Sequence, residues 1–165
     1  MNESIRTYAR RHREGLLSAV SGGFFLILIG MIFVITPNLF DNTLTFFSNF
    51  NLTSPVPNTE IQLPAPSTSS AVAEANQAVY SAVALFSIVW GAFLIALIVV
   101  RFIYGSPVRK KADNLSDIIF WFGAFYVVQL FLINQSQWFV FWSAMIMLGG
   151  ISLIIRAAFL AVVRR

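Results

Sequence analysis

Four long apolar runs, at residues 15–36, 78–101, 115–133 and 138–158, limit what this chain can become more than any other feature. Each is long enough to cross a hydrocarbon core of about 30 Å, which takes roughly 20 helical residues. Backbone N–H and C=O groups in lipid must be paired within the segment, so an isolated strand is excluded, and no run alternates as a barrel strand would. Only 11% of the 165 residues are charged and 58% are hydrophobic, far from the roughly 25% charged residues of soluble domains. The expected fold is therefore an all-α integral membrane protein with four transmembrane helices.

Arg10, Arg11 and Arg13 precede the first run as they would in a secretion signal. The run is too long for one, and Thr36-Pro37-Asn38 stands where small residues would mark a cleavage site, so it reads as a retained anchor. The eleven Lys and Arg residues occupy three places: the 1–14 tail (Arg6, Arg10, Arg11, Arg13), residues 101–114 (Arg101, Arg109, Lys110, Lys111) and the carboxy-terminal end (Arg156, Arg164, Arg165). The 37–77 and 134–137 connections have none. Basic residues stay on the cytoplasmic side, so both ends (1–14 and 159–165) and the 102–114 loop are expected inside a cell membrane, with the other two connections outside. The net charge of +4 is then an orientation signal, and no nucleic-acid partner is expected.

The 37–77 loop has two halves. In residues 37–50, Phe40, Leu44 and Phe47 recur at i, i+4 and i+7, the pattern of a short amphipathic helix lying in the membrane interface. Residues 54–70 carry prolines at 55, 57, 64 and 66 among Ser and Thr, a composition suited to an extended or disordered tether. Asn51-Leu52-Thr53 is a glycosylation sequon on the outer side, relevant only in a host that glycosylates there.

Catalytic chemistry has few footholds. The absence of cysteine removes thiolate nucleophiles, disulfides and thiolate metal sites. His12 stands alone among arginines, and the seven acids are scattered, none at mid-span, so no metal, cofactor or midplane proton relay is expected. Small residues carry more information. Ala19, Gly23 and Gly30 share a face of the first span, Ala84, Ser87 and Gly91 one of the second, and Gly149 and Ser152 lie on a stripe of the fourth. Such stripes let helices approach closely in lipid, and packing within the bundle is the expected use, with self-association as the alternative.

Among polar residues in the spans, Tyr126 and Gln129 fall together with Phe122 on one face of the third. That face is predicted to turn inward, with Gln129 hydrogen-bonded to another helix. Arg156 lies 18 residues beyond Trp138, about 27 Å along the helix and so near the inner membrane edge. It shares a stripe with Trp142, Met145, Gly149 and Ser152, which should lean it toward a neighbour. Counting outward from the 134–137 turn puts Asp117 at a similar depth, and an Arg156–Asp117 pair is predicted, with Asn114 capping the third helix. The alternative is an arginine bound only to lipid phosphate and water.

The stretches Arg10-Arg11-His12-Arg13-Glu14-Gly15-Leu16-Leu17, Gly22-Gly23-Phe24-Phe25, Thr36-Pro37-Asn38 and Leu63-Pro64-Ala65-Pro66 resemble stretches of small, uncharacterised archaeal multi-pass membrane proteins. That resemblance implies a prokaryotic cell membrane and no particular activity. The expected function is a non-enzymatic structural or accessory component of a membrane assembly. Its partners would be the lipid bilayer and other membrane proteins or a second copy of itself, and the alternative is a small oligomeric transporter or channel.

Overall fold

A computed structural model describes residues 3–55 and 60–163, with side chains described from Gly15 onward. The arginines of the 1–14 tail, His12, Pro57, Arg164 and Arg165 therefore lie outside the described side chains. The elements run α1 (Glu3–Ile35), α2 (Leu39–Ser48), β1 (Phe50–Thr53), β2 (Leu63–Pro66), α3 (Ala73–Ile103), α4 (Val108–Val127), a π-helical segment (Val128–Ile133) continuing α4, and α5 (Trp138–Val163). Four helical stretches are long and apolar enough to cross a membrane: Gly15–Ile35, Ala73–Ile103, Val108–Ile133 and Trp138–Val163. The protein is an all-α, four-span membrane protein whose only described sheet is one small antiparallel strand pair.

The helix ends follow from local chemistry. Pro37 disfavours helical geometry in Thr36 before it, and Asn38 takes a left-handed φ of 53°, which asparagine tolerates better than most residues. α3 stops at Gly105, with φ 64°. The Ser106 N–H donates to the Arg101 carbonyl at 3.0 Å and the Gly105 N–H to that of Phe102 at 3.2 Å, a glycine-terminated motif that satisfies carbonyls the last turn leaves open. Pro107 then starts α4, where a missing N–H does no harm.

The helices outrun the apolar runs. α3 begins at Ala73 and α4 at Val108, so Arg109, Lys110 and Lys111 occupy a first helical turn where a loop was expected. Asn114 is consequently no cap; it lies within α4. α5 continues to Val163. A helix satisfies its backbone in water as well as in lipid, so hydrocarbon edges need not end it. The 31 residues of α3 span about 46 Å, well beyond a core of about 30 Å.

α3 is the central element, with α1 and α2 against it and α4 following it along a long seam. On the α1 side, Leu28, Ile32 and Leu39 enclose Ala82, flanked by Phe24, Phe86 and Trp90. Phe24 stacks on Phe93 at 4.1 Å between ring centroids, and Phe25 meets Trp90 edge-on at 5.5 Å. A second cluster joins Phe46 of α2 to Tyr80, Ala84, Val127, Val128, Leu132 and Phe141. α2 thus buries Leu39 and Phe46 while Phe40, Leu44 and Phe47 stay exposed. Residues 63–66, read from sequence as tether, pair with β1 in the register Phe50↔Pro66, Asn51↔Ala65, Leu52↔Pro64 and Thr53↔Leu63. The sequon asparagine therefore sits on a strand.

Candidate functional site

Polar side chains from α3, α4 and α5 meet at the end of the bundle where α4 begins. α4 turns Ala112, Asn114, Ser116 and Ala124 inward, and these small or compact residues let its neighbours come close. Asn114, 1% exposed, donates from Nδ2 to the Leu94 carbonyl of α3 at 2.8 Å. That carbonyl has a second lone pair beyond the one its own helix uses, so the bond ties two helices without breaking either ladder. Across the α4–α5 seam the Ser116 and Ser152 hydroxyls stand 2.6 Å apart. Each reaches the other's backbone carbonyl, Ser116 Oγ to Ser152 O at 2.9 Å and Ser152 Oγ to Ser116 O at 3.2 Å.

One turn away, Arg156 of α5 approaches Asp113, with Nε 2.6 Å from Oδ1 and each side chain about one-third exposed (34% and 31%). Neither atom has an aligned hydrogen bond, so the contact is charge proximity. A pair this exposed contributes about 0–1 kcal/mol. Arg101, in the last turn of α3, donates from a terminal guanidinium nitrogen to the Lys110 carbonyl at 2.8 Å, and the Lys111 ammonium lies 4.3 Å above the Phe102 ring. Asp113, Asp117, Phe120, Leu153 and Arg156 line an open cleft of about 510 Å³ between α4 and α5.

The ion pair corrects the sequence reading: Arg156 takes Asp113 where Asp117 was expected. Asp117 shares the cleft, and among the described residues it has no ion pair. The α4 stretch from Asp113 to Ile133 ends in a π segment, whose i→i+5 bonding winds more residues into each turn and advances less per residue. The acid level with Arg156 is therefore further from the connecting turn than straight α-helical counting gives.

The Tyr126–Gln129 face is corrected as well. Tyr126 is 64% exposed. Among the described residues the Gln129 side chain forms no hydrogen bond to another helix; its backbone carbonyl accepts from the Asn134 N–H at 3.1 Å. Ala124, Val127 and Val128 occupy the inward face instead, because a small-residue seam against α3 and α5 packs better than a phenol and an amide. Phe122 does turn inward, over Gly91.

The small-residue stripes divide. Ala84 and Ser87 are buried, with Ser87 Oγ donating to the Val83 carbonyl at 2.8 Å, and Gly91 lies directly against Phe122. Ala19, Gly23 and Gly30 are exposed, and a Cβ added at either glycine would meet open space. α1 is held by its aromatic and branched face; on that seam the small residue belongs to α3, as Ala82. A Cβ at Gly149 also meets open space, and Trp142 on the same stripe is exposed.

Sequence reasoning missed Asp113, Ser116 and the interhelical role of Asn114. The spacing of Ala112, Ser116 and Ala124 in steps of four and eight carried the signal, since it marks a face small enough to pack. Among the described residues no three of His, Cys, Asp and Glu converge on one point. The chain matches no protein-family model, no curated protein and no solved structure.

Proposed function

We propose that the protein is a non-enzymatic accessory component of a prokaryotic plasma-membrane assembly, held to its partner through α1. The observation that carries this reading is the one-sided packing of α1. Phe24, Leu28 and Ile32 hold it to α3, while Ala19, Gly23 and Gly30 on its other side stay open. Small residues exposed to lipid forgo the close helix contact they are suited to, and a second membrane helix would restore it. The polar groups of the bundle support the same reading. Asn114, Ser116 and Ser152 bond helix to helix, as parts of a frame do.

In the proposed orientation the end bearing Arg101, Arg109, Lys110 and Lys111 faces the cytoplasm. With four spans, both chain ends lie on that side. The test is a photo-crosslinking residue at Ala19 or Gly23 in intact cells, compared with one at Leu28. Crosslinks to a defined membrane protein from the first two positions and none from Leu28 are expected. Lipid adducts alone from all three would overturn the reading. A solute flux into vesicles holding the pure protein, abolished by Asp117→Asn, would favour the transporter alternative.

A further inference from the structure

At the opposite end of the bundle the strand pair, the start of α3 and the start of α5 line an open-sided cavity of about 490 Å³, within the roughly 300–1,000 Å³ of sites that hold small molecules. No Asp, Glu, Lys, Arg or His stands among its described lining residues. Carboxamides approach from three elements, Asn51 on β1, Asn76 on α3 and Gln137 ahead of α5, beside the aromatic rings of Tyr80 and Trp138.

Two of these groups are built in with hydrogen-bonding capacity left over. Asn76 is 8% exposed; its Nδ2 donates to the Ser67 carbonyl at 2.7 Å, while its buried Oδ1 has no partner. Tyr80, one helical turn later, is 7% exposed, and among the described residues its hydroxyl forms no hydrogen bond. A buried polar group without a partner loses about 1–3 kcal/mol of hydration, so the Asn76 Oδ1 favours a bound molecule that supplies a donor, and the Tyr80 hydroxyl on the same helix face of the cavity lining offers it a second hydrogen-bonding position. Trp138 packs against four other rings, those of Phe46, Phe50, Phe141 and Trp142, with centroids 5.6–6.1 Å away.

We propose that this cavity binds a neutral sugar, presented either free or as the headgroup of a glycolipid. An ionised ligand would enter a pocket that offers it no counter-charge. A purely apolar one would leave the Asn76 Oδ1 unsatisfied, and water alone would satisfy it but leave the aromatic rings of the wall facing solvent. A sugar ring answers all three conditions. Its hydroxyls donate to the Asn76 carbonyl and exchange hydrogen bonds with the Tyr80 phenol, and its C–H face lies against the aromatic rings. The proposal is independent of what α1 binds.

The test uses the full chain in phosphatidylcholine nanodiscs, because alkyl-glycoside detergents would themselves offer sugar headgroups. In one arm, methyl glycosides of glucose, galactose, mannose and N-acetylglucosamine are examined by saturation-transfer NMR, with glucose 6-phosphate as a charged comparison. In the other, monoglucosyl and monogalactosyl diacylglycerol are added to the discs, and lipid retained after extraction is read by native mass spectrometry. Saturable binding in at least one arm is expected, and the arm that responds identifies the source. Tyr80→Phe keeps the ring and removes the hydroxyl, so it should weaken binding about three- to tenfold, and Trp138→Leu should abolish it, both with helix content unchanged. Lack of binding in both arms, equal binding of glucose 6-phosphate, or binding indifferent to both substitutions would overturn the proposal.

Discussion

Adding one methyl group at Gly91 tests the close seam between α3 and α4. A Cβ there would lie 2.9 Å from two carbons of the Phe122 ring and 3.5 Å from a third. Ordinary contact begins at 3.4 Å, so the ring must retreat by about 0.5 Å (3.4 − 2.9). Overpacking of this kind costs about 1–3 kcal/mol. Replacing glycine by alanine within a helix returns about 1 kcal/mol, so Gly91→Ala alone is expected to cost between about 0 and 2 kcal/mol. Gly30→Ala supplies the reference, since its added methyl meets nothing within 4 Å and it gains the same helical term. The propensity term cancels in the difference between the two variants. That difference should equal the steric cost, about 1–3 kcal/mol in favour of Gly30→Ala. The measurement is reversible unfolding in mixed micelles of mild detergent and dodecyl sulfate. Combining Gly91→Ala with Phe122→Leu should recover part of the loss, because residues in contact do not behave additively. Equal stability of Gly91→Ala and Gly30→Ala, or additive losses in the Phe122 combination, would show that α3 and α4 are not packed this closely.

Two further cycles in the same assay address the polar contacts. Asp113→Asn and Arg156→Gln should couple by up to about 1 kcal/mol, whereas Asp117→Asn and Arg156→Gln should couple less; the reverse order would restore Asp117 as the partner. Ser116→Ala and Ser152→Ala should couple by about 0.6–1.7 kcal/mol, the range for hydrogen bonds between membrane helices, and additive losses would remove the reciprocal bond.

The number and type of the spans were legible because lipid admits only one backbone solution to a long apolar run, and the runs from Gly15, Ala78, Leu115 and Trp138 needed no tertiary information. The register of neighbouring helices did. Arg156 stands 18 residues into its helix from Trp138 (156 − 138), while Asp117 and Asp113 stand 16 and 20 residues before Ile133 (133 − 117 and 133 − 113). The two acids bracket the arginine equally, and the wider turns of the π segment favour the further one. Nothing in Val128-Gln129-Leu130-Phe131-Leu132-Ile133 announces those turns. The inward face of α4 was misread for another reason. Tyr126 and Gln129 were placed inside for their polarity, yet close packing selected the small residues Ala112, Ser116 and Ala124. On α1 the opposite happened, and Phe24, Leu28 and Ile32 took the buried side because α3 supplies the small partner. The rule that small residues mark a seam holds for a pair of helices, and sequence does not say which of the two provides them.

The strand pair has a consequence for the protein's behaviour at high concentration. Pro64 and Pro66 alternate along β2 with Ala65, and proline has no amide hydrogen. The Ser67 N–H donates across to the Asn49 carbonyl at 2.9 Å, so the residues two and four places before it, Ala65 and Leu63, also direct their N–H groups toward β1. Pro64, which is exposed, then stands on the outer edge, where an incoming strand would look for a donor and find none, and Pro66 on the same edge is buried. Exposed sheet edges invite pairing between molecules, and proline on an edge strand is a device that prevents it. The sheet is thus chemically closed at two strands along this margin. Strand addition between crowded copies is therefore disfavoured along β2, which offers carbonyls but no amide donors on that side.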